Sequence, residues 1–192
     1  MTSKSRSGRL VIGAALSACL IALGGCAAGA RSTQMTASSS VAPIGASDPG
    51  YKQFRVSKTQ GGSKTNPLWM SSVSDADFKS ALEASLKAAN YLADQADQAK
   101  AEIVANLVEL KRPMAGLDMS VTTQVRYSAT DTATGSVVFD DTVGATGTAK
   151  FGDSLIGVER LRLANEAAIK ANIEAFIARL KEAMAAKRTA SR

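Results

Sequence analysis

The sequence predicts an α+β fold: a small antiparallel sheet of three to four strands packed against two helices, the C-terminal one long, in the order β-α-β-β-β-α. Three observations predict it. Residues 119–128 alternate between the set Met119, Val121, Thr123, Val125, Tyr127 and the set Ser120, Thr122, Gln124, Arg126, Ser128, the mark of a strand with one buried face. Residues 78–89 and 158–180 instead repeat their apolar positions at helical steps. Between two strand-like runs, Asp131-Thr132-Ala133-Thr134-Gly135 reads as a turn whose Gly can take a positive φ.

The elements follow in chain order. Residues 51–56 (YKQFRV) form a short first strand, and the polar residues 58–66, with Gly61 and Gly62, a loop. Pro67, Leu68, Trp69 and Met70 make a small apolar cluster in which the lone Trp packs at the core or its rim. The first helix starts at an N-cap Ser74 with Asp77 three residues on, and Val73 and Phe78 form a hydrophobic staple. Its core stripe is Phe78, Leu82, Leu86 and Ala89, and it frays over residues 93–100. Residues 102–110 fit a helical stripe of Ile103, Leu107 and Leu110 and equally a buried strand with Ile103, Val104 and Val108. The strand is the better reading, because a two-stranded hairpin alone is marginal in water. Val137, Phe139 and Val143 carry the core face into the returning strand, after which Gly144, Gly147 and Gly152 loosen the chain. The last helix spans residues 154–184, capped by Asp153, with Val158, Leu161, Ile169, Ile173, Phe176 and Leu180 on its core face and Glu166 and Lys170 as an i,i+4 pair.

Composition narrows the chemistry. The 192 residues include 23 Lys+Arg, 17 Asp+Glu, two Cys and no His. Histidine triads, histidine metal sites and imidazole proton shuttles are excluded, and two Cys cannot build a disulfide framework or a four-ligand zinc site.

The N-terminus reads as an address. Lys4, Arg6 and Arg9 precede an apolar run over residues 10–23, too short for a membrane-spanning helix, which needs ~20 residues, and suited to a signal peptide. The run ends Leu23-Gly24-Gly25-Cys26, which resembles the bacterial lipobox, with Cys26 as the lipidated first residue of the mature chain. Leu16-Ser17-Ala18-Cys19 fits the pattern too, but cleavage there would halve the apolar run. Residues 1–25 are thus expected to be a lipoprotein signal peptide and 26–50 the lipidated Cys and a flexible tether. Residues 51–184 form a periplasmic domain and 185–192 a basic disordered tail. Removing Lys4, Arg6 and Arg9 lowers the net charge from +6 to +3, so the basicity does not argue for nucleic acid. The Ala-, Ser- and Thr-rich tether has almost no large apolar residue and an expected r.m.s. span of ~27 Å. Ala27 and Ala28 stand where an inner-membrane retention Asp would be, which implies the periplasmic face of the outer membrane.

Several motifs suggest chemistry and fail. Gly152-Asp153-Ser154-Leu155 spells the nucleophile block of the GDSL hydrolases, yet Ser154 has no His base and stands at the head of the last helix, where a Ser caps. Gly61-Gly62-Ser63-Lys64-Thr65 resembles the end of a phosphate-binding loop, but Ser63 occupies the position of the Gly before the Lys. Asp140 and Asp141 are adjacent in a strand and face opposite sides, so they cannot share a cation.

Gly116-Leu117-Asp118-Met119, Val125-Arg126-Tyr127, Ala133-Thr134-Gly135 with Val137-Val138-Phe139, and Arg160-Leu161-Arg162 with Asn165-Glu166-Ala167 and Asn172-Ile173 carry a resemblance. Together with the lipobox they make the chain similar, over roughly residues 50–182, to small uncharacterised proteobacterial outer-membrane lipoproteins. More distantly it resembles periplasmic accessory lipoproteins: auxiliary subunits of lipid-transporting ABC systems, the lipopolysaccharide-assembly lipoprotein, activators of peptidoglycan synthases and the curli-secretion lipoprotein. The resemblance implies a non-enzymatic accessory or binding subunit of the cell envelope with an envelope protein as partner. The alternative is a periplasmic lipid- or glycan-binding lipoprotein. No catalytic residue, metal ligand, cofactor or nucleic-acid partner is expected, and the sequence assigns no ligand-binding residue.

Overall fold

A computed structural model describes residues 28–62, 72–113 and 115–190. Its elements are α1 (Ser32–Met35), β1 (Phe54–Gln60), α2 (Asp75–Ala88), β2 (Ala101–Lys111), β3 (Met119–Asp131), β4 (Val137–Ala149) and α3 (Gly157–Ala190), with single 3₁₀ turns at Ala96–Gln98 and Phe151–Asp153. The order and the long C-terminal helix are those the sequence predicts. The four strands lie in the order β1-β2-β3-β4. β2, β3 and β4 are antiparallel, as the alternation implies, and β1 joins β2 in parallel. That orientation follows from α2, since a parallel neighbour is reached only through a crossover.

One face of the sheet carries the helices. α3 covers β3 and β4, α2 covers β1, and α1 touches both helices. The expected alternation holds along β2 and β3: Ala101, Ile103, Ala105 and Leu107 are buried, as are Met119, Val121, Thr123, Val125 and Tyr127. Residues 102–110 are therefore strand, although Val104 and Val108 face away from the core. In α2, Ser74 caps as expected, its Oγ accepting the Asp77 N–H at 3.1 Å. The helix stops at Asn90, whose φ of 63° is the left-handed terminator conformation.

Four local readings are corrected. Val137, expected in the core, is 62% exposed, because a bulge pairs Ala129 with Phe139 but Thr130 with Val137 and flips the strand's parity between them. Gly147 does not loosen the chain: β4 runs on to Ala149. There the backbone of α3 comes so near that a Cβ on Gly147 would sit 2.1 Å from the Ala168 nitrogen. Asp153 does not cap α3, since its carboxylate accepts the Lys150 N–H at 2.7 Å and closes the 3₁₀ turn, while the helix starts at Gly157. Glu166 turns away from Lys170 to Arg162 and Arg31.

The largest departure lies at residues 30–50, read from composition as part of a flexible tether. They form a strap packed along the helices. Ala30, Met35, Ala37 and Ile44 are buried in the main core. The strap backbone is paired as well: Ala37 N–H donates to Ser85 Oγ at 2.9 Å, Ile44 N–H to the Ala89 carbonyl at 3.1 Å, and Asn90 Nδ2 to the Ile44 carbonyl at 2.9 Å. A few well-placed apolar side chains suffice here because the strap closes an existing core instead of building its own. At the other end, α3 continues to Ala190 through residues expected to be a disordered tail. Lys187 Nζ there donates to the Val137 carbonyl at 3.0 Å.

Candidate functional site

Three places in the molecule go beyond core packing. The first is a charge latch on the first turns of α3. Glu159, Arg162 and Glu166 are spaced three and four residues apart and so share one helix face. Arg162 Nη1 donates to Glu166 Oε1 at 2.8 Å and Arg162 Nε to Glu159 Oε2 at 3.0 Å. The same Glu166 oxygen accepts from the strap, at 2.9 Å from the Arg31 backbone N–H and 3.2 Å from its Nε. Arg162 and Glu166 are almost fully buried, and each offsets the desolvation of the other's charge. The Arg162 guanidinium holds the Glu159 carboxyl below its ordinary range. The latch fixes where the strap begins.

The second place is an apolar end. Leu117 precedes β3, Phe151 follows β4, and Leu155 and Ile156 lead into α3; they are 72%, 45%, 81% and 58% exposed. The segments are tied together, the Phe151 N–H donating to Asp118 Oδ1 at 2.9 Å and the Arg160 guanidinium lying 5.1 Å from the centre of the Phe151 ring.

The third is a narrow groove of about 220 Å³ between the strap and the C-terminal half of α3, lined by Ile44, Asp48, Pro49, Tyr91, Lys181 and Ala185. Tyr91 forms its floor, and its buried hydroxyl has no hydrogen-bond partner. Burial, with the Asp48 charge adding to it, pushes this phenol up to about 12.

The predicted site residues divide clearly. Cys26, the lipobox residues Leu23, Gly24 and Gly25, the competing Cys19, and Trp69 lie outside the described residues, as do Ser63, Lys64 and Thr65. Ser154 Oγ accepts the Ile156 N–H at 3.1 Å, a turn bond just ahead of α3 rather than the helix cap expected. Asp140 and Asp141 do face opposite sides: Asp140 takes a two-pronged contact from Arg126 on the open sheet face, at 2.9 and 2.8 Å, while Asp141 pairs with Arg179 of α3. Among the described residues no three His, Cys, Asp or Glu side chains are grouped to hold a metal ion, and no helix is long and apolar enough to cross a membrane. Sequence reasoning missed the latch. The 159/162/166 spacing was its visible signal, whereas Arg31 stood alone in a small-residue stretch.

No family model matches this chain, and no curated protein is a significant match. Solved structures do match in fold. The DUF330 protein XCC0632 of Xanthomonas campestris superposes with a TM-score of 0.56 at 10% identity, covering 79% of this chain and 95% of its own. The hypothetical protein CT253 of Chlamydia trachomatis gives 0.50 at 14% identity, covering 69% and 97%. A protein described as a putative lipoprotein from Caulobacter crescentus gives 0.49 at 11% identity, covering 71% and 93%. At such identities the likeness to the first two shows a shared fold over nearly their whole length, and nothing about activity.

Proposed function

We propose that this chain is an outer-membrane lipoprotein, anchored through Cys26 and facing the periplasm, that serves as a non-enzymatic accessory or binding subunit of the cell envelope. The observation that carries this reading is the join between anchor and fold. The lipobox Leu23-Gly24-Gly25-Cys26 ends five residues before Arg31, and Arg31 is already latched onto α3. A chain of five residues spans at most ~18 Å, so a lipid on Cys26 holds the domain close against its membrane. A protein moored this way is suited to presenting a surface to neighbouring envelope components.

The test is acyl labelling and in-cell crosslinking of the native protein beside a Cys26→Ala variant. Expected are label on the native protein alone, recovery in the outer-membrane fraction, and a reproducible envelope complex lost on unanchoring. An unlabelled native protein in the soluble fraction would overturn the anchor; an anchored protein with no protein neighbour would overturn the accessory role.

The groove over Tyr91 favours a second reading, a binder of lipid or glycan. Its buried hydroxyl has no hydrogen-bond partner, and Asp48 and Lys181 add polar groups to a lining that is otherwise Ile44, Pro49 and Ala185. Native mass spectrometry of the purified protein would show a co-purified ligand lost on Tyr91→Phe.

A further inference from the structure

Six large apolar side chains are exposed among the described residues, and the four at the apolar end account for most of them. They sit on connecting segments at the mouth of the sheet: Met119 pairs with Ala149, and Gly157 lies within 3.9 Å of the Met119 methyl if given a Cβ. Loops there could have been polar at no cost to the core, so Leu155 and Ile156, which belong to neither core cluster, call for an occupant.

The course of the strap says which. It runs alongside α3 in the same direction: Arg31 bonds Glu166, Ser40 bonds Glu174, and Asp48 and Pro49 lie beside Ala185. Upstream of Arg31 the chain therefore heads toward the N-terminal end of α3, where the Ala30 N–H meets the Ser72 carbonyl. Glu166 stands only ~15 Å along the helix axis from Ile156, within the ~18 Å that the five residues to Cys26 can span. Of the acids at this end, Asp118 accepts the Phe151 N–H, Asp153 the Lys150 N–H, and Glu159 is paired with Arg162, while Lys111 and Lys150 are exposed. Four side chains on two short segments are too few for a stable contact between copies, which needs roughly 800 Å² from each partner.

We propose that the apolar end is a membrane-contact surface occupied by a phospholipid bilayer. Leu155 and Ile156 enter the boundary between headgroups and acyl chains, Leu117 and Phe151 lie beside them, and α3 rises from the membrane with the β3–β4 hairpin at its far end. This rests on the anchored-lipoprotein reading and adds an orientation to it.

The experiment uses the mature lipidated protein carrying Leu155→Cys or, at the hairpin tip, Ala133→Cys. The new thiol is labelled with an environment-sensitive fluorophore, and the protein is reconstituted in vesicles of phosphatidylethanolamine and phosphatidylglycerol. Intact mass first reports the acyl chains on Cys26, so failure of the anchor is seen separately from failure of the contact. The expected result is blue-shifted emission at position 155, quenched severalfold more by nitroxides on the upper acyl chain than at position 133. Adding Ile156→Asp, an exposed change that leaves the fold intact, reduces both effects. Equal, water-like emission at the two positions would overturn the proposal. So would an unquenched blue shift at 155 with a dimeric mass, which would assign the patch to a second copy. Should Cys26 prove unacylated, the same comparison in a Cys26→Ser background, which keeps one thiol per protein, with vesicles added in excess, still decides the contact.

Discussion

α3 meets the sheet in two different ways along its 34 residues. Near its start, Ala164 and Ala168 lie on Gly147 with almost nothing between the two backbones, in a small cluster with Met119, Val121, Ala149 and Leu161. Farther on, Phe176 stacks on Tyr127 with ring centres 3.9 Å apart and meets Phe139 edge-on at 5.4 Å. Small residues at one end and three rings at the other hold the helix close at its start and farther off toward its end. A buried hydrogen-bond set lies between: Tyr127 donates to Asn172 Oδ1 at 2.8 Å, and Asn172 Nδ2 donates to the Val143 carbonyl at 2.7 Å and to Thr123 Oγ1 at 3.2 Å. The comparison teaches that the close end is specified by the absence of side chains and the far end by their shape. The close end is the one that also carries the latch and the exposed apolar segments.

The sharpest break of that contrast is a side chain at the close end. Gly147→Val leaves α3 no room to dock, and the cooperative urea transition is expected to disappear or shift by at least about 3 kcal/mol. Gly144→Ala, three residues away with its nearest neighbour at 3.9 Å, changes the midpoint little. Next comes the latch. Glu166→Ala leaves buried Arg162 with Glu159 alone and removes both bonds that hold Arg31, at a cost of about 1.5–3 kcal/mol measured by chemical denaturation. It also speeds limited proteolysis at the strap before the core opens.

In the middle, Tyr127→Phe removes a donor from a fully buried set and leaves Asn172 Oδ1 unsatisfied, for about 1–2 kcal/mol. The smallest effect is electrostatic. Glu159 is held below its ordinary range by Arg162, so it adds stability above its unfolded pKa, and that stability is lost as pH falls through the lower folded value. Because Glu159 is partly exposed, Glu159→Gln should flatten the acid side of the unfolding free energy against pH by only a few tenths of a kcal/mol.

How much of this was legible depended on whether the signal was local. The hairpin and the Ser74 cap were readable because alternation and capping are written over a few adjacent residues. The parallel pairing of β1 was not, since it depends on where α2 returns the chain. The bulge near Val138 was hidden as well: period-two reading assigns Val137 and Phe139 to one face, and only pairing with Thr130 and Ala129 separates them. The strap was least visible. Met35 and Ile44 stand singly among small residues, and their partners lie far along the sequence: Ala37 bonds Ser85, 48 residues on, and Arg31 bonds Glu166, 135 residues on. Of the candidate surfaces, Leu155 and Ile156 were in plain view as letters, but only the strap's direction along α3 relates them to the proposed anchor.

The strap also imposes an order of events. In a chain that emerges N-terminus first, residues 30–50 appear before any partner they pack against, since Ser85 follows Ala37 by 48 residues and Glu166 follows Arg31 by 135. Until α3 arrives the strap has nothing complete to close on. The latch therefore sets late, and a variant with a weakened latch would leave the strap open for longer.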